Sequence, residues 1–369
     1  MNHPSVSDKV KADAYRDLNA AKSRDKESKK AFSERMAGMN MIPAWEAMQA
    51  YGKTEPTPRA LPMLWRYKDV RKALMDACDL ITAKDAERRT LLLRNPGLPS
   101  EYVGATPFAI ASFQCVVPGE PMSPHRHAQT ALRLSIEGDR GYTSVEGEKI
   151  YVERGDVIIQ PPHLWHRHGN DGDKPGIWFD GLDVGVVTLE TAFFDGYEDD
   201  DLPQTTASGD ARAIYGANYQ PVNYKPKSHD FRIYHYPFDR TLEAIAALRR
   251  DQGVDPHHGV KIRLTNPLTG GSCMATLSAF MQSLPKGFQG QPYRSTESVI
   301  VCALQGSGET RIGDITHQWQ QGDVFVIPSW QWHRHQVTAA DAILFSYSEQ
   351  EMQLKLGLWR EQHGNSTVA

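Results

Sequence analysis

The sequence has few cysteines, almost no net charge and no long apolar run. Four cysteines among 369 residues, widely separated and without a CxxC pair, exclude a disulfide scaffold, and we expect them to be reduced. The formal charge of −4, from 41 basic and 45 acidic residues, excludes a field that would attract nucleic acid or an anionic membrane. Without an apolar signal-peptide core or a membrane-spanning stretch, the sequence predicts a cytoplasmic protein that acts on small molecules.

The length and the distribution of β-rich runs predict two domains with connecting structure. Within residues 101–194, short apolar runs such as FAIASFQCVV are separated by Gly, Pro, Asn and Asp, which is typical of an antiparallel barrel. Residues 271–350 have the same character. The other predicted parts are a charged N-terminal arm (1–40), a helical cap (41–100), a linker with a short amphipathic helix at Arg240–Arg250 (195–270) and a C-terminal tail (351–369).

Landmark residues of the first β-rich region recur in the second at a nearly constant spacing. The offset is 167 or 168 residues for each of four pairs, which are Gly119 and Gly287, Gly155 and Gly322, Pro161 and Pro328, and His166 and His333. A constant offset over several landmarks indicates an internal duplication. We therefore expect two small β-barrels built from one repeated unit.

Three histidines of the first unit form a candidate metal site. Residues two apart in a strand share a face, so His125 and His127 both point into the barrel, where His166 from a neighbouring strand can meet them. The segments GEPMSPHRH and GDVIIQPPHLWHRHGN resemble the two characteristic motifs of the cupin superfamily. His163 and His168 compete for the third position, but the motif spacing favours His166. An isolated HxH would be interpreted as ordinary polar residues at a barrel mouth.

The resemblance to cupins predicts a mainly β bicupin fold, with two tandem double-stranded β-helix (jelly-roll) barrels and N-terminal and linker helices. The usual cupin glutamate after HxH is absent, because His127 is followed by AQTALR. Three neutral imidazoles leave up to three octahedral positions open, enough for a bidentate substrate and dioxygen. Such a set can also hold zinc, so the ligands alone do not identify the metal.

Two further polar residues are expected to face the metal. His168 shares a strand face with His166, which makes it a candidate acid or base, or a hydrogen-bond donor to bound oxygen; a histidine that merely packs at the rim is the alternative. Arg133 also faces inward if its strand is unbroken, and a charge there needs an anionic partner. That partner is either an anionic substrate or an internal ion pair with Asp180.

The second unit lacks most of the candidate ligands. The positions equivalent to His125 and His127 are occupied by Tyr293 and Ser295, so only His333 remains. One imidazole cannot hold a catalytic ion, and we expect a C-terminal barrel without metal. The HRH run at 333–335 is interpreted as a remnant.

Four longer segments carry a resemblance to the gentisate 1,2-dioxygenase family, which includes salicylate and 1-hydroxy-2-naphthoate 1,2-dioxygenases. They are RRTLLLRNPGL, PHRHAQTALRLSIEG, WHRHGNDGDKPGIWFDGLD and NPLTGG, and the similarity runs from about Ile42 to about Ser348. The resemblance implies one Fe(II) per chain in the N-terminal barrel, held by His125, His127 and His166. It also implies a homotetramer that uses O2 to open the ring of a small aromatic hydroxy acid between the carboxyl- and hydroxyl-bearing carbons.

By the same resemblance, the residues that line the active site are Arg88, Gln114, Arg133, His168 and Asp180. Arg133 and His168 are also the candidate catalytic residues, whereas Gln114 and Asp180 could equally be core hydrogen-bonding groups. The salicylate enzyme has a substrate-facing tryptophan four residues before the glutamine, and this chain has Ile110 there.

Gentisate (2,5-dihydroxybenzoate) is the expected substrate, and salicylate or 1-hydroxy-2-naphthoate are the alternatives. A cupin that binds a small ligand without turnover is a second class of function, although open metal positions and inward arginines disfavour it. A third is an isomerase or an oxalate-type decarboxylase that uses Mn(II) or Zn(II). Those sites generally keep the glutamate that this chain lacks.

Overall fold

The computed structural model describes residues 26–86, 88–120, 122–187, 194–197, 210–217, 219, 221–223 and 234–365. Residues 1–25 of the predicted arm and most of residues 198–233 of the predicted linker lie outside the described residues. The chain divides into a unit that ends at Pro56 and one that begins at Thr57. In the described part of the chain, no helix has both the length and the apolar character needed to cross a membrane.

The described part of the first unit contains two helices, α1 (Lys26–Gly38) and α2 (Ala44–Tyr51). The ring of Phe32 on α1 stacks on that of Trp45 on α2, with centroids 5.9 Å apart. The predicted charged arm is therefore helical over its described portion.

The second unit consists of two β-barrels. The first half contains β1 (Met63–Trp65), α3 (Tyr67–Leu80), α4 (Ala83–Ala86), β2 (Arg89–Leu92), β3 (Ile110–Val116), β4 (His125–His127), β5 (Ala131–Glu137), β6 (Gly141–Val145), β7 (Glu148–Val152), β8 (Val157–Gln160), β9 (His166–Asn170), β10 (Gly176–Leu182), α5 (Val184–Val187) and β11 (Phe194–Tyr197). Two strands, β1 and β2, thus accompany the helices of the predicted cap.

The second half repeats this order after a short helical segment. It contains α6 (Asp210–Ile214), a 3-10 turn (Tyr215–Ala217), β12 (Tyr234–Tyr236), α7 (Phe238–Gln252), β13 (Val260–Arg263), β14 (Ser278–Leu284), β15 (Tyr293–Ser295), β16 (Val299–Gln305), β17 (Ser307–Ile312), β18 (Ile315–Gln320), β19 (Val324–Ile327), β20 (His333–Gln336), β21 (Ala342–Ser348), α8 (Gln350–Lys355) and β22 (Glu361–His363). Helix α7 confirms the helix predicted at Arg240–Arg250.

Each barrel has a six-stranded and a five-stranded antiparallel sheet, which confirms the predicted bicupin. The strand orders are β12-β8-β5-β10-β3-β2 and β11-β4-β9-β6-β7 in the first barrel, and β1-β19-β16-β21-β14-β13 and β18-β17-β20-β15-β22 in the second. Both members of two glycine pairs adopt positive φ angles, 72° and 80° at Gly119 and Gly287, and 91° and 87° at Gly155 and Gly322. The duplicated sequence landmarks are therefore also duplicated turns.

The two barrels exchange their outermost strands. Strand β1 precedes the first barrel but pairs with β19 of the second, and β12 precedes the second barrel but pairs with β8 of the first. In each case a buried aspartate accepts a hydrogen bond from the first residue of the helix that follows the exchanged strand. Asp323 accepts from the backbone N–H of Tyr67 at 2.9 Å, and Asp156 from that of Phe238 at 2.8 Å.

One apolar core continues from the first barrel into the second. The Phe179 ring lies 5.1 Å from that of Phe113 and 6.1 Å from that of Tyr347 in the second barrel. The Tyr347 hydroxyl donates to the Ile110 carbonyl at 2.7 Å. Gly181 allows this approach, because a Cβ there would lie 2.5 Å from the Tyr347 ring. This packing fixes β3 and β10, the strands that carry much of the candidate site.

Candidate metal centre

Three histidine rings converge inside the first barrel. His125 and His127 lie on β4 and His166 on β9, and His125 is paired in register with His166. The His166 ring centroid lies 4.1 Å from that of His125 and 4.8 Å from that of His127. All three side chains are buried. The structure therefore brings the three predicted ligands together.

The three rings share one tautomer. Each Nδ1 lies beside the backbone carbonyl of a residue two positions away, at 3.1 Å for His125 and 2.8 Å for His127 and His166. Because a carbonyl only accepts, each Nδ1 carries the proton and each Nε2 keeps its lone pair. The buried Nε2 of His166 has no hydrogen-bond partner among the described residues. This tautomer and this orphaned acceptor fit a divalent ion bound by three Nε2 atoms.

Burial keeps the rings neutral, which is the form that binds metals. Desolvation, followed by the charges of Arg88 and His127, lowers the pKa of His125 to about 2. Desolvation also brings the pKa of His166 well below its usual value, with smaller contributions from His125 and His127. The electrostatics of the site therefore agree with its geometry.

A fourth histidine, His168, is close enough to be considered as a ligand. One nitrogen of each of His125, His166 and His168 lies within 4.8 Å of the others. However, Nδ1 of His168 lies 2.5 Å from Nη1 of Arg133 and 3.0 Å from Oγ1 of Thr143. A guanidinium has no lone pair to offer, so Nδ1 of His168 accepts and its Nε2 carries the proton. His168 is therefore arranged to donate a hydrogen bond, whereas His127 has the tautomer of a ligand.

Arg133 is the centre of a buried hydrogen-bond network. Its Nε and Nη2 donate to the two carboxylate oxygens of Asp180 at 2.7 and 2.8 Å, and Nη2 also donates to Oε1 of Gln114 at 2.9 Å. Its guanidinium carbon lies 4.7 Å from the centroid of the Trp178 ring. With the contact to His168, four of the five N–H groups of Arg133 have partners. The internal ion pair with Asp180, one of the two alternatives for Arg133, is thus present.

A cavity of ≈ 360 Å³ opens beside these residues. Its volume is within the range of small-ligand pockets. All eight predicted site residues line it, namely Arg88, Gln114, His125, His127, Arg133, His166, His168 and Asp180. Ile110 also lines it, but the competing histidine His163 does not belong to its walls. His163 instead has a φ of 61° and its backbone N–H donates to the His127 carbonyl at 2.8 Å.

Several residues of the site escaped the sequence interpretation. Ser112 and Gln160 line the cavity. The Thr143 hydroxyl lies 3.0 Å from Nδ1 of His168, and the Trp178 ring centroid lies 5.9 Å from that of His168. Alternation along strands offered a signal for two of them, since Ser112 lies two residues from Gln114 and Trp178 two residues from Asp180. Gln160 lies inside the segment GDVIIQPPHLWHRHGN but is not one of its landmark residues, and no motif marked Thr143.

The second barrel has the same scaffold without the ligands. Tyr293 is paired in register with His333, as His125 is with His166. The Tyr293 hydroxyl donates to Glu361 on β22 at 2.7 Å. Among the residues that the structure describes, the one close group of three or more metal-ligating side chains lies in the first barrel.

Comparison with known proteins places these features in context. Residues 112–185 match the family model of the cupin domain. The chain is 43% identical over 334 residues to "Gentisate 1,2 dioxygenase 1" of Aquipseudomonas alcaligenes, which covers 90% of this chain and 96% of that protein. It is 34% identical to a 5-aminosalicylate 1,2-dioxygenase of Comamonas sp, over 90% of this chain and 89% of the relative.

A solved structure has the same architecture over nearly the full length. The salicylate 1,2-dioxygenase of Pseudoaminobacter salicylatoxidans, determined as its adduct with gentisate, superimposes with a TM-score of 0.81 at 26% identity. The match covers 92% of this chain and 95% of the other.

Proposed function

The chain belongs to the gentisate, salicylate and 1-hydroxy-2-naphthoate 1,2-dioxygenase family of bicupins, and from this premise we propose that its own substrate is gentisate. It is a ring-cleaving dioxygenase, and the proposed reaction opens gentisate between its carboxyl- and hydroxyl-bearing carbons with incorporation of O2. The observation that carries the choice of gentisate is the 43% identity to a gentisate enzyme over 90% of this chain.

We propose that the cofactor is one Fe(II) per chain, held by Nε2 of His125, His127 and His166. The shared tautomer and the orphaned Nε2 of His166 support this ligand set. When bound, the ion supplies the Lewis-acid and redox chemistry that joins the hydroxy acid to dioxygen. Imidazole ligands suit several divalent metals, and the dioxygenase relatives support iron.

His168 is proposed to donate a hydrogen bond from Nε2 into the cavity. Burial, followed by the charge of Arg133, brings the pKa of His168 well below its usual value, so the ring is neutral and carries one proton. Because Arg133 occupies Nδ1, that proton is on Nε2, from which it can stabilise negative charge or be transferred. Arg133 therefore acts by holding His168, and Asp180 and Gln114 hold Arg133.

Arg88 is proposed to bind the substrate carboxylate. It lines the same cavity as His125, His166 and His168, and its charge lowers the pKa values of all three. Its position in the wall of the cavity that holds the three proposed ligands supports this contact.

Oxygen consumption by full-length protein, loaded anaerobically with Fe(II), tests the proposal. We expect uptake with gentisate at a higher kcat/KM than with 5-aminosalicylate, salicylate or 1-hydroxy-2-naphthoate. A higher kcat/KM with one of the other acids would identify that acid, and not gentisate, as the substrate. Absence of uptake with all four, in protein that retains one iron, would overturn the proposal. The homotetramer and the cytoplasmic location stay predictions, of which light scattering during gel filtration tests the first.

A further inference from the structure

Two thiols touch on the outer side of the sheet that carries the site. Cys78 on α3 and Cys115 on β3 have their sulfur atoms 3.4 Å apart. Helix α3 packs directly on β3. The other two cysteines, Cys273 and Cys302, are buried and have no thiol neighbour among the described residues. Neither Cys78 nor Cys115 lines the cavity that holds the candidate metal site.

We propose that Cys78 and Cys115 are an oxidisable dithiol, which hydrogen peroxide converts into an intrachain disulfide that lowers the activity of the first barrel. The two sulfur atoms come from distant points of the chain, and the pair links the helix that covers the sheet to the strand that carries Gln114.

Access decides the order of the chemical steps. Cys78 is half-buried, whereas Cys115 is only 2% exposed, so peroxide reaches Cys78 first. The Cys78 thiolate attacks one peroxide oxygen, the O–O bond breaks, and a sulfenic acid and hydroxide form. The Cys115 sulfur then attacks the Cys78 sulfur, the S–O bond breaks, and the Cys115 proton leaves with hydroxide as water. In total, two thiols lose two electrons and one peroxide becomes two waters.

The geometry needed for a disulfide is close to the geometry present. A disulfide bond is about 2.05 Å long, so the sulfur atoms must approach each other by about 1.4 Å. Neighbouring residues of a strand point to opposite faces, so Cys115 faces α3 while Gln114 faces the cavity. Movement of β3 toward α3 would therefore displace Gln114, whose Oε1 accepts from Nη2 of Arg133 at 2.9 Å.

Burial of the second thiol protects the reduced pair in the absence of an oxidant. Desolvation raises the pKa of Cys115 well above its usual value, so it is protonated near neutral pH and unreactive by itself. It reacts only with a sulfur already oxidised within contact distance. This arrangement confines oxidation to the pair, whereas two independent buried thiols would stay inert.

The test treats full-length holoenzyme with hydrogen peroxide, removes the oxidant, and then reloads every sample anaerobically with Fe(II), so that damage to iron does not enter the comparison. Peptide mapping without reductant detects the disulfide, and oxygen uptake with gentisate, the proposed substrate, gives kcat and KM. We expect a peptide that joins Cys78 to Cys115, and a 3- to 10-fold lower kcat/KM that dithiothreitol restores. Cys78→Ser should give no such peptide and should keep its activity after the same treatment.

Cys273→Ser is the matched control, because it removes a buried thiol without touching the pair, and it should behave as the wild type does. If peptide mapping finds Cys78 as a sulfinic acid and finds no Cys78–Cys115 cross-link, the proposal that the two thiols form a disulfide is wrong. A complete cross-link with unchanged kinetics would overturn its coupling to the site. The cross-link is detected without substrate, so its outcome is independent of the proposal for gentisate.

Discussion

The Nη1 atom of Arg133 lies 2.5 Å from Nδ1 of His168, and this contact assigns different roles to two neighbouring histidines. His166 has its Nδ1 beside a backbone carbonyl and presents a lone pair at Nε2. His168, two residues later on the same strand face, has its Nδ1 beside a donor and presents a proton at Nε2. One is therefore prepared to bind a metal and the other to donate a hydrogen bond.

Replacement of Arg133 by lysine tests this assignment. Lysine keeps the positive charge but cannot contact Asp180, Gln114 and His168 at the same time, because its donors lie on one nitrogen atom. The loss of a charged hydrogen bond costs about 1.5–3 kcal/mol, so we expect kcat to fall about 10- to 100-fold with unchanged iron content. Arg88→Lys serves as the control and should mainly raise KM. An Arg133→Lys enzyme with normal kcat would exclude the positioning role.

The metal content of two histidine variants tests the asymmetry of the barrels. His127→Ala removes one of three proposed ligands and should abolish iron retention after gel filtration, as measured by elemental analysis. His333→Ala alters the equivalent scaffold in the second barrel and should leave about one iron per chain. Two irons per wild-type chain, or loss of iron from His333→Ala alone, would contradict the assignment.

Much of this arrangement was predictable, because its determinants are local or periodic. The offset of 167 or 168 residues predicted the duplication, and the HxH spacing with the later histidine predicted which rings meet. The same alignment predicted that Tyr293 takes the position of His125 in the second barrel, and Tyr293 is paired with His333 as His125 is with His166. Arg133 faces the cavity as expected, although the strand is interrupted between His127 and Ala131.

Other features depend on contacts between distant parts of the chain, which no local pattern encodes. The exchange of β1 and β12 between barrels places Tyr67 beside Asp323, 256 residues away. The predicted C-terminal tail contributes β22 to the second barrel through pairing with β15. The tautomer of His168 requires both Arg133 and Thr143 to be known as neighbours. The domain boundaries and the roles of individual site residues stay predictions.

Gln160 offers a test of substrate preference. It lines the cavity and is buried. Gln160 on β8 is paired with Ala131 on β5, and Ala131 is in turn paired with Leu182 on β10. The Gln160 amide is therefore a polar group beside apolar side chains. Gentisate has a 5-hydroxyl that salicylate lacks. We expect Gln160→Leu to lower kcat/KM for gentisate about 10-fold without lowering it for salicylate. Equal losses for both acids would exclude the contact.

The second barrel should make the stability of the protein sensitive to acid. Burial lowers the pKa of His333 to about 4 and, with Lys261, that of His258 to about 2. In the unfolded chain these histidines bind protons as the pH falls through about 6.5, whereas in the folded protein they stay neutral until about pH 4 or below. The free energy of unfolding therefore decreases as the pH falls from 6.5 toward 4. Between pH 6.5 and 5 the loss for His333 is about 1–2 kcal/mol.

Urea denaturation of wild type and His333→Asn at pH 7 and pH 5 measures this effect. Asparagine has an N–H that can replace the donor to the Gln331 carbonyl, but it does not titrate. The variant should lose less stability than the wild type between the two pH values. Because both proteins keep the histidines of the first barrel, the difference isolates His333. Identical losses would show that His333 does not titrate on unfolding.

Asp323 should be among the most sensitive positions for stability. It is fully buried and accepts from the Tyr67 backbone N–H at 2.9 Å, from Arg66 Nη1 at 2.8 Å and from the Gln320 backbone N–H at 3.1 Å. It thereby anchors β1, the strand that the first half of the chain gives to the second barrel, and the start of α3 that follows it. Removal of the carboxylate leaves these donors without their acceptor.

We expect Asp323→Ala to lower the free energy of unfolding by about 3 kcal/mol, because a buried acceptor of several bonds is lost from one partner only. Asp251→Ala, on the exposed surface of α7, is the control and should change stability by less than about 0.5 kcal/mol. Asp323→Asn keeps one oxygen acceptor and should lie between the two. Equal urea midpoints for Asp323→Ala and the wild type would show that pairing of β1 with β19 holds the exchanged segment without this anchor.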